Sequence, residues 1–596
     1  MDALASLVIT IIIVYLGYRY YAKRMDREVI QADANRATPA KMYNDGVDFM
    51  PASASVLFGY QFKSIAALGP IVGPIAAAQF GWLPAILWLV VGVFFIGWVQ
   101  DYASAMLAMR NEGMTMGGLS YKLISPRARG LLLSFLYIYL LLIMGAFGAI
   151  IAPLLAGTNV AIGFLILVVA GVLAGQMTYR WRVDLLVTTV VTVLLALLGI
   201  WFGTSTFAQN IVASINGLAG TGETHVIFTR PLGYGDVTWA AFFWALVMLA
   251  FCYLGSVLPI WRFAQPVNYT SFWFVFLGIV GSIIGIFIAT FSGAVNTSFD
   301  IPAFVTAFQP NLGPIWPILF VTISCGAVSG WHSLVSTSGT ARQLEKETDA
   351  LPVGAGAMFT EAVLAVLSVV FAATIGVAAG MYDAANHYVL VKGAAGVFAG
   401  GMAQFLSVIG IPVALGGAIG AVFLTVMALT VMQLVLRFMR VASAELLGDR
   451  IPLFKNAHFG TLVALALTLF IILFGFWQWI WVLFGGSNQL FAGMALLLVS
   501  IWLARQAKPY NWAFWPGMFM YVTTVAALLY VSVYNALWKG VLQAQGADAG
   551  FLIGNLISAA FGLYMVVAAV ILFIDGVRAF NEARTSGMRP AAAPGD

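Results

Sequence analysis

Charge is what this sequence has least of. Asp, Glu, Lys and Arg make up 9% of its 596 residues, where an ordinary globular chain carries roughly a quarter. A water-soluble core is thereby excluded. Cysteine is nearly absent too: Cys252 and Cys325 both fall inside apolar runs, which rules out a disulfide framework. Four histidines, only one of them inside an apolar run, are too few for a haem-carrying helix bundle. No HExxH set points to a metalloenzyme, and no GxxxxGK[ST] loop points to ATP. No repeat of fixed period and no long run of like charge occurs, and only the tail RPAAAPGD reads as disordered.

What remains is 62% hydrophobic with a mean hydropathy of +0.96. Apolar runs about 20 residues long match a hydrocarbon layer of roughly 30 Å, and about fifteen of them follow one another. The fold expected is therefore an all-α polytopic membrane protein. Its net charge of +5 is spread in short clusters between runs, a topology signal rather than a nucleic-acid stripe, so no nucleic-acid partner is expected. The first run has Asp2 before it and Lys23, Arg24 and Arg27 after it, the reverse of a signal peptide. With that span retained and its N-terminus outside, the loops with Lys23 to Lys41, Arg110 to Arg129, Arg180, Arg262, Arg342, Arg437 to Lys455, Arg505 and the tail all fall inside. Arg230, Lys392 and Lys539 are the exceptions outside.

Two stretches interrupt this pattern. SIAALGPIVGPIAAAQ carries Gly69-Pro70 and Gly73-Pro74 four residues apart, and GSVLP spans Gly255 to Pro259. Pro removes a backbone donor and Gly frees the chain, so both read as broken helices whose released polar groups face a cavity. Spans two to six and seven to eleven then form five plus five crossings of opposite orientation, each set opened by a broken helix, as in secondary transporters. The organisation expected is an N-terminal span and inner loop (1–55), a first repeat (56–204), an outer connection (205–237), a second repeat (238–440), accessory helices (441–575) and an inner tail (576–596). Outer connections 205–237 and 381–411 are expected to hold short helices.

The run YNDGVDFMPASASVLFGYQFKSIAALGPIVGPIAAAQFGWLPAILWLVVGVFFIGWVQDY, with SGWHSLVSTSGTARQLEKETDALPVGAGAMFTEA and FGGSNQLFAGMALLL, resembles the carbon starvation protein A (CstA) family from about residue 40 to 510. The resemblance implies a bacterial inner-membrane importer with a LeuT-like core of the amino acid-polyamine-organocation kind. It also implies uptake of peptides or pyruvate, driven by proton symport, with no enzymatic activity, cofactor or metal. Sodium coupling, a channel and a transporter-like nutrient sensor are the alternatives. Composition and spacing do not choose the substrate or an oligomeric state.

Ionisable residues within spans are the coupling candidates. Asp101, in WVQDYASAM, is either a proton carrier or the ion partner of Arg110. Glu361, in MFTEAVLAV, is either a carrier or a structural partner of Arg342 or Lys346. Lys63, just before the first break, either snorkels inward or, by the resemblance, holds the place of a sodium ion in related transporters. The ninth run, ISCGAVSGWHSLVSTSGT, offers hydroxyls and one imidazole; His332, with a pKa of about 6.5 when unperturbed, is the first choice for coupling. Gly69, Gly73, Gly255, Ser329, His332 and Ser333 are the substrate-site candidates. GGSNQLFAG, Gly485 to Gly493, is expected to serve packing or a gate outside the core, and YNDGVDFMP, with Asp45 and Asp48 around Gly46, to form a solvated turn.

Overall fold

A computed structural model describes residues 2–218, 225–230 and 235–587. The tail RPAAAPGD lies outside them. Among the described residues thirteen helices are long and apolar enough to cross a membrane, fourteen with a pair bent by 45°, Ala54–Ile65 and Gly69–Phe80, counted as one span. Local chemistry sets many helix starts: Ser125 accepts from Ala128 N–H ahead of Pro126, Asp184 accepts from Leu186 and Val187, and Thr238 accepts from Ala241. The described strands form three short two-stranded hairpins in connections. Residues 205–237 hold the helix Thr206–Asn216, and 381–411 hold Ala394–Val408.

The ninth apolar run accounts for the difference from fifteen. It is two short helices, Ile315–Thr322 and Gly330–Ser338, separated by seven residues, 323–329, with no helical pairing. Gly326 lies there with a φ of +81°, a conformation glycine takes without steric cost. GSVLP, by contrast, is no internal break. Trp239–Val257 simply ends there, because Pro259 cannot continue it, and the chain turns through 258–263 into Ala264–Ser292. The second interrupted segment is thus Ile315–Ser338.

The two interrupted segments cross in opposite senses. Ala54–Ile65 packs on Gly330–Ser338, and Gly69–Ala77 packs on Ile315–Thr322. Around them, burial sorts the helices into centre and rim. The apolar window of Leu483–Arg505 is 100% buried and that of Val413–Leu447 89%, whereas Ala3–Ile30, Leu185–Gly203 and Ala457–Phe474 are each 28% buried and present their apolar sides outward. Leu483–Arg505, expected outside the core, therefore stands at its centre, against Trp98–Met109 and Gly330–Ser338.

The basic loops gather on one face. Arg110 reaches Ile30 O at 2.9 Å and Glu347 at 3.0 Å, Lys508 Nζ donates to Val29 O at 2.7 Å, and Arg505 donates to Leu123 O at 3.0 Å. On the opposite face Ala3 N–H donates to Thr297 O at 2.9 Å, and Val305 N–H to Phe80 O at 3.0 Å. YNDGVDFMP on the basic face is a turn, with Asp45 Oδ1 accepting from Val47, Asp48 and Phe49, but it is not simply solvated. Asp48 Oδ1 meets Arg437 Nη2 at 2.6 Å, Trp261 Nε1 donates to Gly46 O at 2.9 Å, and the Arg342 guanidinium lies 4.9 Å from the Phe49 ring centre. The loop is thereby docked, on the basic face, across the C-terminal parts of Trp239–Val257 and Val413–Leu447. Burial works to raise the Asp48 carboxyl, but Arg437, then Arg440 and Arg342, outweigh it and hold it below the usual carboxylate range.

Asp48→Ala should strand a guanidinium whose side chain is 4% exposed. Because Asp48 itself is 26% exposed, we expect a cost near or below the low end of the about 3–5 kcal/mol seen when one partner of a buried pair is removed. Glu28→Ala, at an exposed pair with Arg24, should move the midpoint far less, because water and salt screen that pair. Thermal unfolding in detergent checks this; equal midpoints for the two variants would contradict the docking. A depressed carboxyl stabilises the fold above its unfolded pKa and loses that contribution as pH falls, so the difference between variants should shrink in acid.

Candidate functional site

The first break begins where helix Ala54–Ile65 stops and Gly69–Ala77 starts, with Pro70 in the first turn, where a missing N–H costs nothing. The glycines of the two Gly-Pro steps serve close approach. A Cβ on Gly73 would overlap the carbonyl oxygen of Thr322, and one on Gly69 would overlap the Sγ of Cys325. Gly69–Ala77 and the second broken segment can meet there only because those side chains are missing. The helices that start at Gly69 and Gly330 are both uncapped by their N-cap side chains, so two positive helix ends begin inside the membrane.

Carbonyls released by the second break are taken up by side-chain amides. Gln489 Nε2 donates to Phe320 O at 2.8 Å and Ile323 O at 3.3 Å. Asn488 Nδ2 donates to Ser324 O at 3.3 Å and to Ser329 Oγ at 3.0 Å, while its Oδ1 accepts from Trp331 N–H at 2.9 Å and Tyr139 Oη at 2.6 Å. Gln100 Nε2 donates to Ser329 O, and Gly326 N–H donates to Glu361 Oε1 at 3.1 Å. Asn488 and Gln489 are thus the support of the break, a role sequence reading missed, while Ser487 donates back to Leu483 O within its own helix. Its signal was present: three polar residues inside an apolar helix need partners of their own.

Beside this support sits a fully buried charge cluster. Asp101, on Trp98–Met109, brings Oδ2 to 3.2 Å from His332 Nδ1; Glu361, on Gly356–Phe371, brings Oε2 to 3.2 Å from His332 Nε2. The imidazole stands between two carboxylates, all three at 0% exposure. The Nδ1 contact has hydrogen-bond geometry, whereas the Nε2 contact is close without it. Asp101 and Glu361 thus face His332 rather than Arg110, Arg342 or Lys346; Arg110 pairs instead with Glu347.

Lys63 stands apart, also at 0% exposure. Its Nζ donates to Thr430 Oγ1 at 2.9 Å and Val426 O at 3.4 Å, a link from the first broken segment to Val413–Leu447, and it forms no ion pair among the described residues. Gly69 and Gly73 line a cavity of about 190 Å³ with Thr322, Ser324, Phe484 and Asn535. Ser329 and His332 lie behind its wall, reached through Cys325, which abuts Gly69 and donates to Ser329 Oγ at 3.3 Å. Ser333 donates back to Gly330 O within its own helix at 2.7 Å. Gly255 is away from the cavity, closed in by Gln433, with its carbonyl accepting from Arg437 at 3.2 Å.

Asn488→Leu should leave the Trp331 amide and Tyr139 hydroxyl without their acceptor, at about 1–3 kcal/mol for each stranded buried group. Tyr139→Phe removes a single hydroxyl and should cost about 1 kcal/mol. If thermal midpoints in detergent fell equally for both, Asn488 would be a packing residue and not the support of the break.

The family model for carbon starvation protein CstA matches residues 2–390 and 381–527. The chain is 28% identical to a peptide transporter CstA of Campylobacter jejuni over 94% of its own length and 82% of that protein. It is also 28% identical to the Bacillus subtilis protein of the same name, over 96% of this chain and 97% of that one. A pyruvate/proton symporter, BtsT, of Escherichia coli is 30% identical over 65% of this chain and 51% of that protein. Among solved structures, a manganese transporter of Eremococcus coleocola covers 90% of this chain and 99% of its own at 12% identity, with a TM-score of 0.41. The chain belongs to the carbon starvation protein CstA family.

Proposed function

We propose that this member of the CstA family is a secondary transporter that imports a small organic nutrient, a peptide or a pyruvate-like carboxylate, by proton symport. The carrying observation is the Asp101–His332–Glu361 cluster, fully buried beside the cavity between the two interrupted segments. An unbalanced charge in such a place costs several kcal/mol. Two ionised carboxylates and a neutral imidazole carry two negative charges, so the cluster is electrically balanced when it holds two protons. Losing them requires water or a changed environment, which ties proton release to opening. This is the linkage a symporter needs, and histidine is the side chain best suited to exchange protons near neutral pH.

The substrate would enter the cavity at Gly69 and Gly73, where the helix end starting at Gly69 favours a carboxylate. The two antiparallel broken segments would be counterparts in an inverted repeat, and rocking about them would expose the site to each side in turn. Basic loops mark the cytoplasmic face of a bacterial inner membrane, with the N-terminus outside and the C-terminus inside. On that reading the Asp48–Arg437 and Arg110–Glu347 pairs close the inner side. Lys63, bonded to Thr430 and to Val426 O across the seam, would hold the two helices together through those hydrogen bonds. The chain acts as a carrier and not as an enzyme.

Proteoliposomes challenged with labelled pyruvate and with a labelled dipeptide test this. One of the two should accumulate saturably under an inward proton gradient and stop accumulating when the gradient is collapsed; large unitary currents would instead mean a channel. His332→Ala should abolish accumulation while the protein still inserts and elutes as a single species. Were that variant to concentrate substrate with unchanged pH dependence, His332 would be a packing residue, and Asp101→Asn would be the next test.

A further inference from the structure

Cys325, His332 and Glu361 arrive from three separate stretches of chain: the second break, the helix that follows it, and Gly356–Phe371. A sulfur, a ring nitrogen and a carboxylate oxygen from them lie within 4.8 Å of one another, all three residues buried. His332 Nε2, Glu361 Oε2 and Asp101 Oδ1 have no hydrogen-bond partner among the described residues. Each unpaired buried polar atom carries a penalty of about 1–3 kcal/mol. Those of His332 and Glu361, gathered beside the Cys325 thiol, fit a ligand that accepts electron pairs.

The donor types narrow the class. Sulfur, imidazole and carboxylate together suit Zn²⁺ and its borderline neighbours, whereas Mg²⁺ and Ca²⁺ take oxygen. Bond lengths of about 2.0–2.3 Å around a tetrahedral ion set donors roughly 3.3–3.8 Å apart, so the present trio needs closing by about an ångström, within the reach of side-chain rotation. A further feature fits a metal ligand. Asp101 holds His332 by Nδ1 at 3.2 Å, leaving Nε2 directed at Glu361; a carboxylate behind the imidazole is what orients metal-binding histidines. Entry is short, since Ser324 and Gly69 line the cavity and adjoin Cys325.

We propose that Cys325, His332 and Glu361 form a binding site for a divalent metal ion of the Zn²⁺ class, reached from the cavity. Charge is conserved on binding: one divalent ion enters, the thiol proton and the proton on His332 Nε2 leave to solvent, and Asp101 retains its proton. If the cluster carries the transported protons, as proposed above, bound metal takes the place of the one on His332 and arrests uptake.

Cobalt(II) added to the detergent-purified protein is the probe. One equivalent should bind with a thiolate-to-cobalt charge-transfer band in the near ultraviolet and be displaced by Zn²⁺. Cys252→Ser leaves Cys325 as the only thiol of two in the sequence and should keep the band; Cys325→Ser should lose it, and His332→Gln should weaken binding about tenfold or more. Absence of the band in the folded Cys252→Ser protein, or its persistence in Cys325→Ser, overturns the site. A separate arm measures gradient-driven uptake in Zn²⁺: inhibition supports both readings. A Cys325-dependent cobalt band with uptake untouched by Zn²⁺ upholds the metal site and counts against the coupling role.

Discussion

Backbone polar groups released inside a membrane must find partners within the protein, and this requirement organises the centre of the structure. Opening 323–329 frees carbonyls that lipid cannot satisfy. Gln100, Asn488 and Gln489 donate to them, and Glu361 accepts from Gly326. Those side chains can reach only if their own helices surround the break. That is why Leu483–Arg505, late in the sequence, has the most buried apolar window of the described membrane-length helices. A carbonyl-to-amide match of this kind holds an irregular backbone in one shape where hydrophobic packing alone would leave it undirected.

The same arrangement places chemistry next to space. Glu361 satisfies the break with one oxygen and faces His332 with the other, so support and charge cluster share a residue. Gly69 and Gly73 let the two broken segments touch while leaving a cavity beside the cluster. On the basic face, Asp48 and Arg437 close the molecule, while the cavity lies toward the other half of the broken segments. A cavity on one side of a buried charge site and a seal on the other is the asymmetry that one state of an alternating carrier has to show.

Much of this could be read from the chain before folding. Helical runs, scarce charge and the clustering of basic loops follow from the cost of placing polar groups in hydrocarbon, a cost each segment meets by itself. Gly69-Pro70 marked a break for the same local reason. The four ionisable candidates within spans were also visible, because an ionisable residue there is costly wherever its neighbours lie. The strings quoted for the CstA resemblance identified the family, and the whole-chain match agrees.

Pairing was decided only in three dimensions. GSVLP and ISCGAVS both look able to interrupt a helix, but the first meets the end of a span, while the second is held open by Asn488 and Gln489 from some 160 residues further along. Asp101 could have answered Arg110; instead it faces His332 across 231 positions. Asp45 makes the turn that a solvated loop would make, yet Asp48, three residues on, docks it onto Arg437 from 389 positions away. Local sequence determines what a residue costs to bury. Which partner offsets that cost depends on distances between segments far apart in the chain, and only the packed helices set those distances.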